Sequence, residues 1–111
     1  MNFGDDVPAV AATDVPPDSY VLDVREPSEW EVGHAPDAVH IPIGELSDRA
    51  AEIPRDQDVY VICRSGVRSA QVTVALTNAG WIAFNVDGGM KSWVRSGRPM
   101  VADGGAEPYV A

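Results

Sequence analysis

The sequence predicts an α/β domain built on a mainly parallel sheet, and three observations carry that expectation. Short apolar, β-rich runs alternate with stretches of helical periodicity across short connections. Val59-Tyr60-Val61-Ile62 is continuously apolar, the pattern of a parallel strand buried on both faces. Glycine and proline punctuate most changes of pattern.

In chain order, Met1 to Asp6 is expected as a frayed end and Val7 to Ala11 as a short strand. Ala12 to Ser19 carries Pro16, Pro17 and several turn-forming residues, so it reads as turns with no room for a full helix. Tyr20 to Val24 is a compact apolar strand. Pro27 to Val32 suits a short helix, with proline in the first turn and Gly33 as its stop. Residues 33–37 form a loop and Ala38 to Ile41 a short strand before Pro42. Glu45 to Ile53 has helical spacing, with Leu46, Ala50 and Ile53 on one stripe.

Asp58 to Ile62 is the strongest strand of the chain. Ser69 to Ala79 places Val72, Leu76 and Ala79 on one helical face, with Ser69 a credible N-cap and Gly80 the stop. Trp81 to Val86 reads as a strand, Asp87-Gly88-Gly89 as a tight turn, and Met90 to Ser96 as the last helix. A single domain is therefore expected over residues 7–99, with residues 100–111 a loosely held tail short of apolar anchors.

At 111 residues the chain suffices for one domain with a real core. No apolar run reaches the length of a membrane span, and Met1 to Ala11 lacks the pattern of a secretory signal. A lone cysteine forms no internal disulfide. Together these features favour a reducing compartment, most simply the cytoplasm. The net charge of −9 argues against nucleic acid or an anionic membrane as partner. The charge is uneven: residues 1–58 hold 14 acids and 3 bases, residues 59–111 hold 3 acids and 5 bases.

The basic half contains Cys63, at the end of the strongest strand and ahead of a helix. Ligands of parallel sheets sit beyond the carboxyl ends of the strands, which is where Cys63 falls. A thiolate, not a thiol, is the nucleophile, and helix N-termini and nearby cations both favour it. Arg64 and Arg68 supply the cations. Gly66 can take a positive φ, turning successive N–H groups inward as an anion-binding nest, and Ser65 and Ser69 add hydroxyl donors. The plainer reading is a structural cysteine at a strand end. An arginine as next neighbour is unusual for that role. The reading needs a sulfur that solvent can reach.

His34 and His40 are the only histidines, and without a second cysteine they assemble no zinc ligand set. His34, in Gly-His-Ala-Pro, reads as a loop-fixing hydrogen-bonder. Trp30, Trp81 and Trp93 read as core or rim packing, and Gly88-Gly89 as a turn rather than a phosphate-binding fingerprint.

Several segments in order resemble the rhodanese-like domain family of thiosulfate and persulfide sulfurtransferases. They are Leu22-Asp23-Val24-Arg25-Glu26 with Glu29 and Trp30, Gly33-His34-Ala35-Pro36, Ala38-Val39-His40-Ile41-Pro42, Val61 through Ser69, and Gly88-Gly89-Met90-Lys91-Ser92-Trp93. The resemblance covers about residues 7–99 and suits the small single-domain form. It implies a three-layer sandwich, a central five-stranded, mainly parallel sheet with helices on both faces. It also implies a catalytic Cys63 in a six-residue loop, Cys63 to Arg68. Two places depart from the family pattern. Asp37 stands where glycine is common, and Ala12–Ser19 is too short for the usual first helix.

On this resemblance Cys63 takes the outer sulfur of thiosulfate or a similar donor as a persulfide and passes it to a thiol or sulfur-carrier acceptor, without a cofactor. Arg64, Ser65, Gly66, Val67, Arg68 and Ser69 would surround the substrate, with the two arginines on a sulfonate. Asp23 and Arg25 would support the site from the end of the first central strand. Two other readings remain: a catalytically silent docking module, and a cysteine-dependent phosphatase or arsenate reductase. Related phosphatases carry a loop one residue longer, so the four residues between Cys63 and Arg68 favour sulfur over phosphate. A missing resolving cysteine disfavours the reductase. Oligomeric state is not legible.

Overall fold

The computed structural model describes residues 7–111, so the end expected to be frayed, residues 1–6, lies outside the described residues. Five strands form one sheet: β1 (Ala9–Ala11), β2 (Tyr20–Asp23), β3 (Val39–His40), β4 (Val59–Ile62) and β5 (Ala83–Asp87). Their order is β1-β5-β4-β2-β3 and every pairing is parallel. The helices are α1 (Pro27–Val32), α2 (Leu46–Arg49), α3 (Val67–Asn78) and α4 (Gly89–Arg95). Among the described residues no helix is long and apolar enough to cross a membrane.

The central place of β4 explains its unbroken apolar run. Val59 and Val61 point into a cluster with Val72 and Leu76 of α3, while Tyr60 and Ile62 join Met90 and Trp93 of α4 on the opposite face. Side chains alternate across a strand, so a strand covered on both faces favours apolar residues at every position. Parallel pairing of Asp23 with Ile62 and of Val61 with Asn85 brings the carboxyl ends of β2, β4 and β5 to one edge.

Two local expectations change, over residues 45–53 and in the tail. Residues 45–53 are not one helix but a 3-10 turn (Ile43–Glu45), the single turn α2 and a second 3-10 turn (Ala50–Glu52). The apolar stripe still packs inward, but Ile53 is already extended ahead of Pro54, which ends the run. Ala12–Ser19 holds only a 3-10 turn (Ala12–Asp14). Arg98 closes that stretch by donating to the Ala12 and Val15 carbonyls at 2.8 and 2.7 Å, and Ala12 and Val15 fill the α4 side of the core.

The tail is also tied down. His34 and Val101 exchange two backbone hydrogen bonds of 2.9 Å, the Tyr109 N–H donates to the Val32 carbonyl at 2.9 Å, and Val110 packs on the core. Gly33 ends α1 as expected, but at φ 172° it is simply extended. Glycine is needed there because a Cβ would run into the Tyr109 backbone. Gly33→Ala should therefore lift residues 109–111 off α1. The expected result is a loss of about 1–3 kcal/mol, read as a lower melting temperature with faster proteolysis of the tail.

Asp37, in the place of a common glycine, adopts φ 65°. Aspartate tolerates this left-handed conformation better than most residues, so the loop after Pro36 keeps a glycine-like shape.

Candidate active site at the Cys63 loop

The loop leaves β4 at Cys63 and enters α3 at Val67. Gly66, at φ 103°, caps the helix and makes the turn that a side chain would oppose. Three donors converge on Cys63 Sγ: the Gly66 N–H at 3.1 Å, the Ser69 N–H at 3.3 Å and the Ser69 hydroxyl at 3.2 Å. Burial pushes the Cys63 thiol up. The Ser69 hydroxyl and the amides of Ser69, Gly66 and Ser65 together outweigh it, and the thiol lies below its ordinary value.

The loop's carbonyls are held outward, which leaves its amides to the sulfur. The Met90 N–H donates to the Cys63 carbonyl at 2.8 Å and the Lys91 N–H to the Arg64 carbonyl at 3.1 Å. Asn85, buried on β5, donates from Nδ2 to the Gly66 carbonyl at 3.2 Å and accepts the Ser69 hydroxyl on Oδ1 at 2.5 Å. Ser69 is thus not an N-cap but the third residue of α3, its hydroxyl turned inward. That hydroxyl has one proton and two acceptors, so it serves the sulfur when the sulfur is anionic and Asn85 when it is not. Ser69→Ala should raise the Cys63 pKa. It should also slow reactions of the thiolate at neutral pH roughly tenfold, the worth of one hydrogen bond to a charged group. The pH profile of Cys63 alkylation in the folded variant checks both effects.

The remaining candidates are placed as follows. Asp23 and Arg25 are fully buried and paired through three side-chain hydrogen bonds of 2.8, 2.9 and 3.1 Å. Arg25 also donates to the Gly33 carbonyl at 2.8 Å and the Glu29 carbonyl at 3.4 Å, so the pair anchors α1 to β2. Arg68 forks onto Glu29, Nη1 to Oε1 at 2.7 Å and Nη2 to Oε2 at 2.9 Å, and its charge lies near enough to interact with Cys63. These hydrogen bonds, against burial, hold the Glu29 carboxyl down to about 2. The pair's contribution to stability is therefore full above the ordinary carboxylate pKa and lost as pH falls through about 2. Arg64 turns to the Ala111 carbonyl at 2.6 Å. Ser65 and Val67 are exposed at the rim.

His34 fixes its loop, as expected, through Nδ1–H to the Trp30 carbonyl at 2.7 Å, and His40 Nε2–H donates to the Arg25 carbonyl at 2.8 Å. Both imidazoles stack on Trp30, at 3.5 and 4.7 Å between ring centres, which makes Trp30 the filling of a rim sandwich. Asn85 and Glu29 carry site contacts that sequence reasoning did not assign. Asn85 could have been noticed as the one hydrophilic residue in the run Trp81 to Val86.

Cys63 keeps only 1% of its surface exposed, beneath exposed Arg64, Ser65 and Val67. This contradicts the expectation of a sulfur that solvent can reach: the loop covers it, and it packs in the core cluster with Val61 and Val72. A depression of about 420 Å³ on the same sheet edge, lined by Asp87, Gly88 and Arg95 among others, does not include Cys63.

The family model for the rhodanese-like domain matches residues 9–96. The chain is 40% identical over 89 residues to a sulfurtransferase of Allochromatium vinosum, covering 79% of this chain and 83% of that protein. It is 39% identical over 80 residues to a putative sulfurtransferase of Bacillus subtilis, covering 72% and 78% respectively. The crystal structure of a rhodanese-related protein from Thermoplasma volcanium superposes with a TM-score of 0.82 at 35% identity, covering 86% of this chain and 99% of that one.

Proposed function

Because the chain belongs to the rhodanese-like domain family, we propose that it transfers a sulfane sulfur through a persulfide on Cys63. The observation that carries this is the convergence of the Gly66 and Ser69 amides and the Ser69 hydroxyl on one sulfur.

In the first step the Cys63 thiolate attacks the outer sulfur of thiosulfate, or the terminal sulfur of a hydropersulfide. One S–S bond forms as another breaks, and sulfite or a thiolate leaves with the electron pair. In the second step an acceptor thiolate, small or on a sulfur-carrier protein, takes the outer sulfur and Cys63 leaves as the thiolate again. Each step is a displacement at sulfur with no net electron transfer to the protein, so it calls for no resident cofactor. The loop amides and the N-terminal end of α3 stabilise negative sulfur before and after transfer, which leaves a general base nothing to do.

The test is intact mass after incubation with thiosulfate and, separately, with a hydropersulfide. Gain of one sulfur from at least one of the two donors, removed by an added thiol, is the expected result. No adduct from either donor would leave a silent docking module. Aryl phosphate turnover dependent on Cys63 would favour the phosphatase reading instead.

A further inference from the structure

We infer that Glu29 sets the charge of the donor that the site accepts: by occupying both terminal nitrogens of Arg68 it withholds the loop's cation from a sulfonate and reserves Cys63 for hydropersulfides. This rests on the sulfur-transfer reading above and narrows its donor.

A guanidinium binds a carboxylate or a sulfonate with the same pair of parallel N–H groups, so one anion excludes the other. The pair is partly covered, with the Glu29 side chain 16% exposed and that of Arg68 34% exposed. Glu29 is also not free to swing aside. Its Oε1 accepts the Glu26 N–H at 3.0 Å in the cap of α1, and its carbonyl accepts a hydrogen bond from Arg25, itself buried on Asp23. Arg25 offers no substitute, since it is engaged with Asp23, and Arg64 is exposed and turns its Nε to the Ala111 carbonyl. Thiosulfate brings two negative charges to a protein of net charge −9 and expels sulfite, another dianion. An alkyl hydropersulfide brings at most one charge, on the sulfur to be transferred, and expels a thiolate that solvent protonates. The loop amides alone meet that demand.

The experiment compares kcat/KM for Cys63 persulfide formation from thiosulfate and from a small hydropersulfide with an uncharged alkyl group, in the wild type, Glu29→Gln and Glu29→Gln/Arg68→Gln. Glutamine keeps an oxygen for the Glu26 N–H while removing the charge that pins Arg68. The expected result is a rise of about tenfold or more in the ratio of thiosulfate to hydropersulfide loading in Glu29→Gln, carried by KM for thiosulfate, with the gain lost in the double variant. An unchanged or lower thiosulfate rate, with hydropersulfide loading intact, overturns the inference. A measurement on the wild type stands apart from the folding of any variant: sulfate should not compete with hydropersulfide loading, and competitive inhibition would show Arg68 open to sulfonates. Absence of loading from both donors would remove the sulfur-transfer reading itself, and this inference with it.

Discussion

Cys63→Ser should abolish sulfur loading, with transfer from any sulfane donor falling by at least about a thousandfold and no persulfide detectable by intact mass. The serine oxygen is close in size to sulfur and can accept from the same Gly66 and Ser69 amides, so the fold should survive. It cannot form the S–S bond on which the proposed cycle turns, nor does an alcohol ionise at neutral pH without a base, which this loop does not supply. Intact mass and turnover, read beside the melting temperature of the same sample, separate loss of the nucleophile from loss of structure. Transfer at more than a few per cent of the wild-type rate would mean that the sulfur travels by another route.

The second large effect belongs to Gly89→Ala, which touches neither substrate nor sulfur. Gly89 opens α4 at φ 57°, and a Cβ there would drive into the Cys63 carbonyl and lie 2.7 Å from the Arg64 carbonyl carbon and oxygen. Those are the carbonyls that the first amides of α4 hold outward through Met90 and Lys91. Backbone gives way far less readily than a flexible side chain, and the left-handed φ adds its own cost. We expect a loss of about 2–4 kcal/mol, together with a rise in the Cys63 pKa as the amides lose their aim. Denaturant unfolding gives the first quantity and alkylation against pH the second. Unchanged stability would mean that the loop and α4 separate more easily than their contacts imply.

Much of the architecture was legible because it rests on local pattern. Val59–Ile62 announces a strand buried on both faces, and Pro27 and Gly33 bracket α1 closely. Cys63 stood out as the candidate nucleophile because it lies between such a strand and a helix with Arg64 beside it, a poor setting for a cysteine that only packs. What escaped was set by contacts remote in sequence. Arg68 meets Glu29 across 39 positions, and Ser69 meets Asn85 across 16. Neither partner carries a local signature of the pairing. Ser69 looked like a cap because serine caps helices, yet the buried sulfur and Asn85 claim its hydroxyl and leave the cap to Gly66. The tail looked loose because it is poor in apolar residues. Backbone hydrogen bonds from His34, Val101 and Tyr109 hold it, and any sequence can make those. Helical spacing over 45–53 did find the inward stripe, but three anchors and a following proline do not sustain a continuous helix.

The central claim is that the loop donors favour the Cys63 thiolate and that a small reagent reaches this buried sulfur from the loop rim in the folded protein. Alkylation of the native protein with iodoacetamide, followed by intact mass across a pH series, tests both halves at once. Complete modification of folded protein is predicted, with a rate midpoint below the range of an ordinary thiol. A sulfur that reacts only after unfolding, or a midpoint at or above that range, would contradict it.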